Sequence, residues 1–523
     1  MSSLNDRLSR LSPDRLTGIR RGIEKESLRA RPDGALALTP HPAALGSPLT
    51  HPHITTDFSE SQLELITGVH DSVDACLHEL RHIHQFVYRA IGEETLWVGS
   101  MPCGLPADET IPIARYGTSN TGRMKSVYRM GLSHRYGRRM QTISGIHYNW
   151  SMPGLTSEDY FALIRNFRRH SFLLLLLFGA SPAACSSFVA GRDHPLLPLG
   201  SSGSGTLGLP HATSLRMGRL GYQSDAQAAL AISYNDLENY AASLHEGLTR
   251  IHPPYAAIGI RNPGGEYNQL ATTLLQMENE FYGTIRPKRA IRRGERPLHA
   301  LRERGVEYVE VRCMDLDPFV PQGIQASTAR FIDMFLLHCL TQPSPPDTPD
   351  ETARLARNQH LTASRGREPG LLLERPAGGH EALFAWGERL LHECLPLAQT
   401  LDAAQGDTLN AQALAEAIAA WNSPQTLPSA RVLQRVRDDF DGSFVAFGRH
   451  QAQQLREQVL GWPWSEAQAQ HFAALAETSV ADQREREAVD DMPFEQFRAH
   501  YLASARLRPG HMMSDSATEV PTA

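Results

Sequence analysis

The sequence predicts an α+β protein, a sheet-and-helix core followed by a mainly helical part. Three observations predict it. Residues 18–70 alternate between apolar and polar side chains with the period of a strand. Val73, Cys76, Leu80, Ile83 and Val87 then recur at helical spacing. From 380 to 505 the pattern is helical almost throughout. The chain divides accordingly. Residues 1–340 form the core, 341–375 (rich in Pro, Thr, Arg and Gly) a loop or linker, 376–507 the helical part packed on the core, and 508–523 a small, polar, flexible tail.

The elements follow in order. Met1 to Arg20 is a polar helical lead without an apolar signal core. The strands of 18–70 turn at Pro32-Asp33-Gly34 and are interrupted by a loop from Pro40 to Pro52. A helix over 71–92, a loop over 95–123 rich in Gly, Pro, Ser and Thr, a helix over 124–138 and a strand over 140–152 come next. Residues 157–178 read as one long helix ending in the apolar run Phe172 to Phe178. That run is buried rather than membrane-spanning, since a bilayer needs about 20 residues. Residues 190–211 are Gly/Ser/Pro-rich and expected as a surface loop. Helix over 224–250, a strand near 255–261 before a Gly-containing turn, and a strand over 306–313 complete the core.

Composition narrows the function. The 523 residues are 41% hydrophobic and 21% charged, ordinary for a globular protein. A net charge of −6, from 51 basic and 57 acidic residues, excludes a global nucleic-acid footprint. Local basic clusters remain, Arg286-Pro287-Lys288-Arg289 and Arg292-Arg293, which suit either solvent or phosphate. Cys76, Cys103, Cys185, Cys313, Cys339 and Cys394 contain no CxxC pair, and a chain this long needs no disulfide framework, so a reducing cytoplasm is the simplest compartment. There is no Gly-x-x-x-x-Gly-Lys-Ser/Thr loop, no strand–GxGxxG–helix unit and no nucleophile elbow. Gly200 to Gly205 is a flexible Gly/Ser tract rather than a phosphate cradle.

Four segments carry polar groups where strands are usually apolar. Glu24 and Glu26, two apart, project from one strand face. Asp57 and Glu64 sit among strand formers, and Glu60 and Glu64 share a face only if that piece is helical. In 141–150, Gln141, Ile143, Gly145, His147 and Asn149 share one strand side. In 306–315, Glu310 and Arg312 face one way and Val309 and Val311 the other. Each segment alone is explained by solvated charge, a hydrogen-bonded core His or a local salt bridge. Together they suggest strands offering oxygen ligands to a common concave face. Such donors favour magnesium or manganese, and several carboxylates imply more than one ion. Divalent ions beside an Arg are what phosphoryl transfer from ATP requires.

Residues Gly22-Ile23-Glu24-Lys25-Glu26, Ile54-Thr55-Thr56-Asp57-Phe58, the run Tyr116 to Arg123, Met140 to Asn149, Phe178 to Ala183, Ala212 to Arg216, Ile285 to Arg289 and Tyr308 to Arg312 resemble, in this order, the proteobacterial glutamate–cysteine ligases. The resemblance covers 18–320 well and continues more thinly to about 505; 190–208 and 341–375 diverge. It implies a glutamine-synthetase-like fold, an open funnel of mostly antiparallel sheet backed by helices. It implies that ATP phosphorylates the γ-carboxylate of glutamate and that the cysteine amine attacks the γ-glutamyl phosphate. Carried over by motif, Glu24, Glu26, Asp57, Glu64, His147 and Glu310 hold magnesium, for which manganese can substitute, and Arg312, beside Glu310, stabilises the moving phosphoryl group. Tyr128, Arg129, Gln141, Asn149, Arg216, Tyr222 and Tyr282 match the substrate pocket, with Arg216 suited to an α-carboxylate. Lys288 and Arg289 approach the ATP phosphates. The expected partners are glutamate, cysteine and ATP alone, with no nucleic acid or membrane, and a monomer is expected. A carboxylate–amine ligase with another amine acceptor fits the same residues, because acceptor choice rests on pocket shape.

Overall fold

The structure is a computed structural model describing residues 11–508 apart from 201, 202, 222, 223, 229 and 293. The alternating N-terminal segments become strands of one sheet because each has an apolar side to bury and a polar side to turn away. The strands are β1 (Arg20–Ala30), β2 (Ile54–Thr56), β3 (Gln62–Ile66), β4 (Thr95–Leu96) and β5 (Ile146–Ser151). A small second sheet holds β6 (Ala183–Cys185), β7 (Leu197–Pro198) and β8 (Thr206–Gly208). β9 (Ile285–Lys288) and β10 (Tyr308–Met314) return to the first, and β11 (Leu372–Glu374) with β12 (His380–Ala382) form a separate hairpin.

The main sheet runs β2-β3-β1-β5-β10-β9, with β4 beside β1, and every pairing is antiparallel. Its two faces differ sharply. Ile23 of β1, Tyr148 and Trp150 of β5, and Val309 and Val311 of β10 are fully buried on one face. Helices Val73–Ala90, Ser157–His170, Phe172–Phe178 and Ala326–Thr341 pack there, and Leu383–Gln405 and Leu409–Asn422 pack in turn against Ala326–Thr341. Each such apolar side chain contributes roughly 1.5–3 kcal/mol by leaving water. A buried polar clamp fixes this layer. Arg21 of β1 meets Asp333 of helix Ala326–Thr341 at 2.9 Å, and the Tyr148 hydroxyl donates to the same carboxylate at 2.8 Å. The opposite face carries Gly22, Glu24 and Glu26 of β1 with their polar neighbours.

Several expectations needed correction. The strand of 140–152 begins only at Ile146, and Arg138–Gln141 is a helical turn, so Gln141 is not on the strand face. The helix of 157–178 breaks at Ser171, whose hydroxyl donates to the Arg168 carbonyl. The surface loop of 190–211 contains β7 and β8, which add to β6. Helix over 224–250 is confined to Asp225–Ala228 and Leu237–Thr249. The strand near 255–261 is instead helix Pro253–Ile258, started by prolines in its first turn and ended at Gly259 with φ 76°. Residues 341–375, expected as loop, contain the 17-residue helix Pro349–Arg365, capped by Thr348. Its flanking prolines masked a helical period that begins at the proline, where a missing N–H costs nothing. Cys103 and Cys185 lie side by side, with their Cα atoms 5.2 Å apart, a proximity that their 82-residue separation does not signal. No helix among the described residues is long and apolar enough to cross a membrane. The first ten residues of the lead and the tail beyond Arg508 lie outside the described residues.

Candidate active site

Register places the polar side chains of five strands in one band. Glu26 stands opposite Glu64 across β1 and β3. Glu24 stands opposite His147 across β1 and β5, and Asn149 opposite both Gly22 and Glu310. Glu310 in turn stands opposite Arg286 of β9. These residues share one face because side chains in a strand alternate. Asp57 sits at the β2–β3 turn, where its carbonyl receives hydrogen bonds from the Arg129 guanidinium and the Tyr116 hydroxyl.

The contacts grade across the sheet from acidic to basic. At the β3–β1–β5 end, His147 Nδ1 lies 3.1 Å from Glu24 and its Nε2 3.6 Å from Glu26. Asn149 donates to Glu24 at 2.9 Å, and the Gly145 N–H donates to Glu26 at 2.7 Å. One ligand atom from each of Glu24, Glu64 and His147 lies within 4.8 Å of the others. At the β10–β9 end, the buried Glu310 carboxylate meets Lys288 at 3.1 Å, Arg312 at 2.9 Å and Arg286 at 4.0 Å.

Electrostatics follow the same gradient. Burial, then Asp57, pushes the Glu26 carboxyl up to about 8. Burial, then the Glu24, Asp57 and Glu26 carboxylates, holds Glu64 well above the usual range. For Glu310 burial works the other way from Lys288 and Arg312, and the cations win, holding it well below that range. Glu24 is also lowered: burial opposes ionisation, but the His147 hydrogen bond leads the forces that overcome it. Burial and then Arg312 lower His147, leaving a neutral imidazole suited to metal ligation.

This donor set fits a hard divalent cation. Like-charged carboxylates at this separation repel unless a cation lies between them. The Asn149 side-chain oxygen is buried without a partner among the described residues, another oxygen donor beside Glu24. Carboxylate, carbonyl and a single imidazole favour magnesium or manganese over zinc.

A second group flanks the band. The Arg216 guanidinium lies over Gly145, in the space a Cβ there would fill, and donates to the Arg312 carbonyl at 2.8 Å. Only glycine permits that approach. Gln141 donates to the Tyr282 hydroxyl at 2.8 Å. Arg216, Tyr282 and Arg312 line one small cavity, about 50 Å³, with Thr284, Met217 and Gln359. Tyr128 is near enough to Glu280 and Tyr282 for its hydroxyl pKa to be raised, by burial first and then by Glu280.

A family described as glutamate-cysteine ligase matches residues 6–362. A glutamate–cysteine ligase of Azotobacter vinelandii is 48% identical over 504 residues, 92% of this chain and 94% of that protein. One from Saccharophagus degradans is 45% identical over 504 residues, 93% of this chain and 94% of that one. The chain belongs to the glutamate–cysteine ligase family. The crystal structure of the Francisella tularensis glutamate–cysteine ligase in complex with AMP superposes with a TM-score of 0.88 at 35% identity, over 94% of this chain and 98% of that chain. The antiparallel sheet backed by helices is therefore an architecture that this chain shares with that ligase.

Within this family member, Glu24, Glu26, Asp57, Glu64, His147, Asn149 and Glu310 converge with Lys288 and Arg312, while Tyr128, Gln141, Arg216 and Tyr282 flank them. Arg129 is nearby but braces the β2–β3 turn: it donates to the Thr56 and Asp57 carbonyls and stacks over Tyr116. Arg289 points away from Glu310. It bonds the Arg304 and Gly305 carbonyls and lines a separate cavity of about 400 Å³ at the strand ends, with Arg20, Ser151 and Glu307. Tyr222 lies outside the described residues. Sequence reasoning missed Arg286 as a site residue. Its signal was present: two residues before Lys288, it shares that side chain's face. Glu60 proves structural, accepting the His41 and Arg115 backbone N–H groups at 3.0 and 2.9 Å.

Proposed function

We propose that this chain joins the γ-carboxylate of L-glutamate to the amine of L-cysteine, converting ATP to ADP and phosphate, as the first step of glutathione synthesis. Family membership and the acid-to-base gradient across β3, β1, β5, β10 and β9 support this reading. The gradient is the observation that carries it. A carboxylate-rich half is suited to magnesium, or manganese in its place, and a cationic half to a transferring phosphoryl group.

Glu24, Glu64 and His147, with Glu26, Asp57 and Glu310, would hold the metal. When bound, it neutralises and aligns the phosphate oxygens. Arg312 and Lys288 donate hydrogen bonds to the γ-phosphoryl oxygens, and Arg312 does so most strongly as charge shifts between them. The glutamate γ-carboxylate oxygen attacks phosphorus and ADP leaves, giving the acyl phosphate. The cysteine ammonium gives one proton to solvent, and the free amine attacks the acyl carbon; the adduct nitrogen releases a second proton to solvent, and phosphate departs with one former carboxylate oxygen, leaving the amide. Arg216, Gln141 and Tyr282 orient the amino acids, with Tyr128 beside them, and Arg129 keeps Asp57 in place. The Arg289 cavity suits the nucleoside half of ATP. A substrate thiol that must stay reduced supports a cytoplasmic setting, and a monomer without nucleic-acid or membrane partners completes the proposal.

The test is phosphate release with ATP, magnesium and glutamate while the amine varies. Cysteine should give the highest kcat/KM with γ-glutamylcysteine as product. Preference for another amine would replace the acceptor, and no turnover with any amine would overturn the ligase reading.

A further inference from the structure

Helix Pro349–Arg365, which the sequence hid among prolines, reaches the amino-acid side of the band. Its C-terminal turn is tied to the segment that presents Arg216. The Thr213 and Ser214 N–H groups donate to the Ala363 carbonyl at 2.9 and 3.2 Å, and the Thr213 hydroxyl donates to the Thr362 carbonyl at 3.0 Å. From this helix the half-buried Gln359 enters the cavity lined by Arg216, Tyr282 and Arg312.

The orientation of its amide is fixed. Gln359 Nε2 donates to the Met217 carbonyl at 3.0 Å, which requires nitrogen on that side. The amide oxygen is thereby left as an acceptor, and no partner for it is found among the described residues. The Arg216 and Arg312 guanidinium groups suit a carboxylate, and the neutral amide oxygen of Gln359 beside them suits an ammonium. Guanidinium beside a neutral carbonyl acceptor is the pairing that reads an α-amino acid head group, carboxylate on one and ammonium on the other.

We infer that Gln359 is a specificity-determining residue that accepts a hydrogen bond from the α-ammonium of glutamate. This deepens the proposed ligase reading and rests on it. Glutamate is the assignment because its α-ammonium takes no part in the reaction and stays charged. The acceptor's amine must lose a proton and face the acyl carbon, so an oxygen that holds an ammonium would oppose it.

The test compares glutamate with glutarate, the same diacid without the amine, at saturating ATP and cysteine. The parent should prefer glutamate. In Gln359→Met, which keeps volume and removes the acceptor, kcat/KM for glutamate should fall on the order of 10- to 100-fold, the effect of losing one hydrogen bond to a charged group. Glutarate should change by no more than about twofold, so the preference narrows. Equal loss on both substrates, or no loss on either, overturns the inference. If that variant melts markedly lower, Gln359→Glu is measured instead: a carboxylate there should retain the preference for glutamate, and its loss would count against the inference. Parent turnover with glutamate and cysteine is recorded first, so failure of the ligase reading shows there and failure of the Gln359 assignment only in the ratio.

Discussion

Glu26 and Glu64 stand directly opposite one another in the antiparallel register of β1 and β3, with Asp57 raising the pKa of both. Two carboxylates held this way strain the metal-free protein and are relieved by a cation. Glu64→Gln should therefore melt higher than the parent in EDTA, yet need at least about 10-fold more magnesium for half-maximal activity. Thermal melts with and without chelator, beside a magnesium titration of activity, check both halves. Unchanged magnesium dependence would remove Glu64 from the metal site.

The same pair sets a pH dependence. Glu26 titrates near 8 in the folded chain, against a model-peptide value of about 4.3 when unfolded. A raised carboxyl pKa means that the folded state binds the proton more tightly. Its contribution is full below the unfolded pKa and is lost as pH rises to the folded one. Metal-free protein should accordingly lose stability between about pH 4 and 8 through this group. Glu26→Gln should flatten that part of the profile, and magnesium should reverse the slope. Denaturant melts across pH in EDTA measure it.

Arg312 donates to Glu310 at 2.9 Å from the same strand face. Its guanidinium fork matches a phosphoryl group in a way an ammonium does not. Arg312→Lys should lower kcat by roughly 10²–10³ while leaving the KM for glutamate within about threefold. Equal changes in both constants would show general binding rather than transition-state stabilisation.

Behind the site, Arg21 and Asp333 are 2% and 3% exposed, so neither charge has water to fall back on. Asp333→Ala leaves the Arg21 guanidinium buried and unpaired, and should cost about 3–5 kcal/mol in unfolding free energy. Equilibrium urea denaturation reads this directly.

Period-2 alternation made the strand faces legible: Glu24 with Glu26, and Glu310 with Arg312, project together as their spacing requires. Convergence across strands was not legible from spacing, because register is set by long-range pairing. That Glu26 meets Glu64, and Glu24 meets His147, came only with β3 and β5 on either side of β1. Gln141 was misplaced because apolar alternation continued through a helical turn that ends before the strand. Arg129 and Arg289 are cations whose roles depend on nearby carbonyls, which leave no mark in the sequence. Gln359 was hidden because flanking prolines made its helix look like a linker.

The most direct test of the central claim follows oxygen. Glutamate labelled with ¹⁸O in the γ-carboxylate is turned over with ATP, magnesium and cysteine, and the released phosphate is analysed by mass. An acyl-phosphate route transfers one labelled oxygen to each phosphate and yields γ-glutamylcysteine. Unlabelled phosphate, released at a rate independent of glutamate, would contradict it.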